Sequence, residues 1–170
     1  VARAIYQCIA KIRDIYDQLF SPVQQLIESN PVIRDGFKLS FSTSIIERMF
    51  RQEFFDRYVT QGVNGSFCGK DAGEVRLNEI INGYDFNDVE QSLAFVQNVM
   101  KHMEYDYRSK DPDKNPTNVA SQLRKAIKPE QLYDFIWSLQ YLQPEYSLML
   151  DGKDLNQLSP GERGSLLLVF

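Results

Sequence analysis

The sequence predicts an α+β fold, mostly helical, with a small β-sheet. Two observations carry this. Most apolar residues recur at helical spacing, and only two short stretches have strand character, at 37–44 and 146–150. The chain has 170 residues, 43% of them hydrophobic, which is enough to bury one real core.

The first element is RAIYQCIAKIRDIYDQLF (3–20). Ile5, Cys8, Ile12, Ile15 and Leu19 step by three and four alternately, a heptad seam, with Lys11, Arg13, Asp14 and Asp17 off it. Two readings fit: an amphipathic helix packed on its own domain, or the returning end of an antiparallel coiled-coil arm. Pro22 is expected to break or kink this helix, or to begin a new one capped by Ser21. FKLSFSTSII (37–46) follows. Its Phe37/Leu39/Phe41 alternation against Lys38/Ser40/Ser42 predicts a half-buried strand. IIERMFRQEFFDRYV (45–59) then predicts a helix, QGVNGSFCGKDAG (61–73) a glycine-punctuated loop, and 74–82 a short helix. Asn87 or Asp88 is placed to cap a longer helix reaching Tyr105. SKDPDKNPTN (109–118) is turn-forming. Helices are expected at 118–127 and 130–142, with Pro129 at the start of the second and Pro144 ending the run. YSLML (146–150) predicts a strand, DGKD a turn at Gly152, and 159–170 a final helix.

Composition removes several function classes. A net charge of −4 argues against a polybasic nucleic-acid or membrane surface as the main business of the chain. No apolar run reaches membrane-spanning length, and no secretory signal opens the sequence. Cys8 and Cys68 are the two cysteines, spaced like free thiols in a reducing, cytoplasmic setting and unlike a disulfide framework. With His102 the one histidine, a zinc site built on several histidines is excluded. Asp85, Asp88, Asp111 and Asp113 could serve a carboxylate hydrolase, but they sit in turn and cap contexts where Asp is expected anyway. Lys101, Arg108, Lys110 and Lys114 are interleaved with Glu104, Asp106, Asp111 and Asp113, which reads as a solvated mixed face. Any DNA contact of the whole protein is expected on other surfaces.

Two stretches look like phosphate sites. NGSFCGKD (64–71) departs from a P-loop: Asn64 replaces the first glycine, and Asp71 follows Lys70 where Ser or Thr would bind Mg²⁺. LSPGERG (158–164) is different. Ser159, Pro160 and Glu162 make a strong helix start, with Ser159 as cap, Pro160 at the first position and Glu162 completing a capping box. Gly161 and Gly164 have no such local reason. Small residues at a helix N-terminus leave room for an anion at the amides.

LSPGERG, led by YSLMLDGKDLNQ, resembles the signature motif of ABC-type ATPases in the form common among SMC-, RecN- and RecF-like coiled-coil DNA-maintenance ATPases. The run from LYDFIWSL (132–139) to the end is similar to large ATPases of bacterial DNA repair and phage restriction. The resemblance implies a fragment of a P-loop ABC-type ATPase head. Residues 1–30 would be the end of the coiled-coil arm or a leading helix. Residues 31–170 would be the helical signature lobe, truncated before Walker B. Ser159 then matches the signature Ser that hydrogen-bonds the γ-phosphate of ATP bound on the opposite subunit. Gly161 offers its amide to the same phosphate, Glu162 stands at the Gln/Glu position, and Arg163 at the basic position after it. Pro160 departs from the family's first glycine and removes one amide. Walker A, Q-loop, Walker B, D-loop and switch His have no counterpart, and His102 is not placed to be the switch. The fragment alone would not hydrolyse ATP. The full protein would use ATP and Mg²⁺, pair with a missing N-terminal lobe carrying Walker A, and form a homodimer through ATP. The missing initiator Met and the apolar SLLLVF end are expected of a piece cut from such a protein. The alternative expectation is a helical protein-interaction module with no nucleotide role. Its support is the heptad seam and the aromatic segments FRQEFFDRY (50–58) and YDFIWSLQY (133–141).

Overall fold

The computed structural model describes residues 1–31, 39–150, 153–154, 158–161 and 164. Its fold is α+β and mostly helical, as the periodicity predicts. The chain divides into two compact units. The first is Val1–Gln7 with Ile46–Gln143, and the second is Cys8–Ile45 with Pro144–Phe170.

Helix α1 spans Ala2–Ser29 and runs through Pro22 without ending there. A proline removes one amide from the ladder. The turns beyond it are held by packing, because Val23 and Ile27 join Leu150, Leu158, Phe41 and Leu148 in the core of the second unit. The face that packs is not the heptad seam. Within the second unit the inward positions are Tyr16, Phe20, Val23 and Ile27, one residue and about 100° around the helix from the seam. Cys8 is exposed, and Ile12, Ile15, Leu19 and Leu26 expose 44%, 59%, 64% and 58% of their surface.

Strand β1 covers Leu39–Glu47. The predicted helix from 45 therefore starts late, because the β-branched pair Ile45-Ile46 continues the strand. Met49 adopts φ 65° and turns the chain. The Glu47 carboxylate accepts the Phe50 N–H, holding the start of α2 (Phe50–Glu53). A π-helical turn at Phe54–Tyr58 continues α2, and Phe54 and Phe55 are both buried there. Phe50 is fully buried and meets Phe54, Phe95, Phe135 and Tyr141 at ring distances of 4.5–5.5 Å. These aromatics organise the core of the first unit.

Helix α3 spans Lys70–Asn82, beginning four residues before its predicted start. Gly73 lies inside it because an added Cβ would stand 2.4 Å from the Phe67 carbonyl oxygen. Helix α4 (Val89–Glu104) is capped as predicted: Asp88 Oδ1 accepts the Gln91 N–H at 2.8 Å. The helix expected at 118–127 is a single 3₁₀ turn, Val119–Gln122. Tertiary bonds outweigh helical propensity at this point. Gln122 is buried and its Nε2 donates to the Met103 carbonyl at 2.7 Å, Leu123 bridges Val59, and Ala126 takes φ 72°. Helix α5 (Pro129–Ser138) stops short of 142 because Leu139, fully buried, turns left-handed at φ 53°.

Strand β2 runs Leu142–Leu150, longer than predicted and containing Pro144. Strand β3 is Lys153–Asp154, with Leu150 opposite Lys153 and Met149 opposite Asp154 in antiparallel register. The sheet order is β1-β2-β3. The Ser42 and Ser147 hydroxyls meet at 3.2 Å, and the Arg48 N–H donates to the Tyr141 carbonyl at 2.8 Å. Contacts that advance on one strand and retreat on the other mark β1 and β2 as antiparallel. The predicted turn at Gly152 lies outside the described residues.

Candidate functional site

Leu158 is buried on Ile27 and Leu150, which fixes the entry to LSPGERG. Ser159 follows, exposed and non-helical, and Pro160 and Gly161 are helical. That is the arrangement a Ser cap and an N1 proline favour. Gly161 and Gly164 are exposed, and a Cβ added at either would meet nothing within 4 Å among the described residues. Packing among the described residues therefore does not account for either glycine. Glu162 and Arg163, the other two residues that the resemblance singles out, lie outside the described residues.

The other candidates resolve into structural roles. In the 64–71 loop the Gly69 N–H donates to Gln61 O at 2.9 Å and the Cys68 N–H to Gly65 O at 3.1 Å, so these amides are not turned towards a phosphate. Gly65 has φ 145° and sits against Gln122, whose Oε1 would be 2.4 Å from an added Cβ. Asp88 caps α4. Asp85 accepts the Asn87 N–H and Nδ2–H, both at 2.9 Å, which hold its carboxyl below the usual range. Asp111 meets Lys114 at 3.2 Å. On the mixed face, Arg108 closes on Asp106 at 2.7 Å and depresses that carboxyl. Half of the basic groups weighed for DNA are thus paired locally.

His102 is buried on α4. Its Nδ1–H donates to the Asn98 carbonyl at 2.9 Å, and its ring stacks on Tyr107 at 4.0 Å. Burial lowers its pKa, aided by the Arg76 charge and opposed by the Asn98 bond. Among the described residues no group of three or more His, Cys, Asp or Glu could hold a metal ion. No helix among them is long and apolar enough to cross a membrane.

Sequence reasoning missed a groove of about 340 Å³ in the second unit, between α1 and β1, closed at one side by Tyr146. Phe20 stacks on Phe41 (5.8 Å) and meets Tyr146 at 4.3 Å with the rings tilted by 32°. These residues come from three separated segments, so no local pattern announces them.

No protein-family model, curated protein or solved structure matches the chain.

Proposed function

We propose that this chain is the signature-bearing lobe of a coiled-coil ABC-type ATPase of the SMC/RecN/RecF-like group, acting in DNA repair or phage defence in the cytoplasm. In this reading Ser159 and Gly161, with Glu162 and Arg163, meet the γ-phosphate of MgATP bound on a partner subunit. The lobe itself supplies no catalytic group. Hydrolysis belongs to a second lobe carrying Walker A and to the homodimer that ATP closes. The observation that carries the reading is the start of the helix at LSPGERG: a buried Leu158 anchors it, Ser159 is exposed, and no described residue stands within 4 Å of the Cβ positions of either glycine. Such a terminus suits a phosphate held mainly by another molecule.

The test is light scattering of the full-length protein with a slowly hydrolysed ATP analogue, wild type against Ser159→Arg. A long cation at the cap should abolish both the ATP-dependent dimer and turnover, with the melting temperature kept. A dimer that forms normally in the variant would return Ser159 to a plain helix cap.

A second reading has its own observation. The exposed seam of α1 is the kind of stripe a partner helix covers, which favours a helical interaction module without nucleotide. In the first reading the same stripe takes the other strand of the arm.

A further inference from the structure

The α1–β1 groove combines three features. Its floor is aromatic, from Phe20, Phe41 and Tyr146, with Tyr146 49% exposed. Its rim carries two carboxylates of α1, Asp17 and Glu28, and no Lys, Arg or His lines it among the described residues. Its polar groups are pre-set. Thr43 Oγ1 donates to Asp17 Oδ1, leaving Oδ2 for another donor. Gln24 Oε1 accepts the Phe41 N–H at 3.0 Å, while its Nε2 donates to Glu28 Oε1 at 2.8 Å.

We propose that this groove docks an extended, basic peptide segment of a partner protein, with an arginine laid over the Phe20–Tyr146 ring pair and against Asp17. The charge of the rim selects a cation. The ring faces select a planar one, because a guanidinium stacks on an aromatic face and donates to a carboxylate together, which an ammonium cannot match. The second carboxylate sets a spacing. Glu28 lies eleven residues beyond Asp17 on the same helix. At 1.5 Å per residue that is roughly 16 Å, with only about 20° of rotation between them. An extended chain covers roughly 16 Å in about five residues. Side chains of an extended chain alternate faces, so the second cation belongs on the arginine's own face, four residues on, about 13 Å away, and the reach of the two long side chains covers the remaining few ångströms. The inference is independent of the signature reading, since it uses none of residues 158–164.

The test is fluorescence anisotropy with a labelled pentapeptide, Arg-Gly-Ser-Gly-Arg, against the full protein. Saturable binding is expected, at least fivefold weaker for the Lys-for-Arg peptide and for a peptide with its arginines two apart. Asp17→Asn and Phe20→Leu should each weaken binding at least fivefold, and Glu53→Gln, in the other unit, should not. If Phe20→Leu melts early, Ser21→Lys serves instead: it puts a cation on the exposed rim and should abolish binding without disturbing the helix. Absence of saturable binding, equal affinity for the Lys or the close-spaced peptide, or wild-type binding by Asp17→Asn or Ser21→Lys would overturn the proposal.

Discussion

His102 is the single histidine of the chain, and its surroundings fix how it titrates. Burial and Arg76 hold its folded pKa below the ordinary 6.5. As pH falls through about 6.5 the unfolded chain takes up a proton that the folded chain refuses. The stability from neutral His102 is thus present above that pH and lost on acidification towards the folded pKa. His102→Gln should flatten the dependence between pH 7 and 5, by at most about 1.4 kcal/mol per pH unit. Thermal melts of wild type and variant, subtracted, check this. The subtraction matters because Glu47, raised by burial, has the opposite sign: its contribution is present at low pH and lost as pH rises through its folded pKa. Single residues were legible in the sequence where their role is local. Asp88 could be read as a cap because its partner is three residues away. Gln122 could not, because its partner Met103 belongs to another element.

At the scale of elements, α1 shows what a one-dimensional pattern can and cannot say. The heptad seam is real in sequence and the helix forms, but the core takes the neighbouring stripe. Periodicity reports that a face is apolar and does not report what covers it. The two stripes should therefore respond differently to mutation. Ile12→Glu with Leu19→Glu should change stability by no more than about 0.5 kcal/mol. Ile27→Ala, which empties a position in the second unit's core, should cost about 2–5 kcal/mol. Urea unfolding of the two variants distinguishes these outcomes. Element boundaries moved for similar reasons. Ile45-Ile46 suit strand as well as helix, and the left-handed turns at Met49 and Leu139 have no glycine or asparagine to announce them.

At the scale of the whole molecule, the class of fold was legible and the grouping of segments was not. The first unit joins Val1–Gln7 to Ile46–Gln143, a pairing set by long-range contacts such as the Tyr6 hydroxyl donating to Phe86 O at 3.0 Å. Its aromatic core should be brittle: Phe50→Ala removes a ring touching four others and should cost about 3–5 kcal/mol, seen as a rise in protease susceptibility under native conditions. LSPGERG is legible as a motif, and only its first turn is given a setting. The small sheet has a further consequence. Backbone groups alternate sides along a strand. The Tyr141 carbonyl accepts from Arg48, so Pro144, three residues on, turns its backbone away from β1. Among the described residues, β3 lies on that side opposite Met149 and Leu150. Proline there withholds the amide that an incoming strand would need, and on the opposite margin Gln24 already occupies the Phe41 amide. At Pro144 and at Phe41 the described strands are thereby poor templates for intermolecular β-pairing, which works against aggregation.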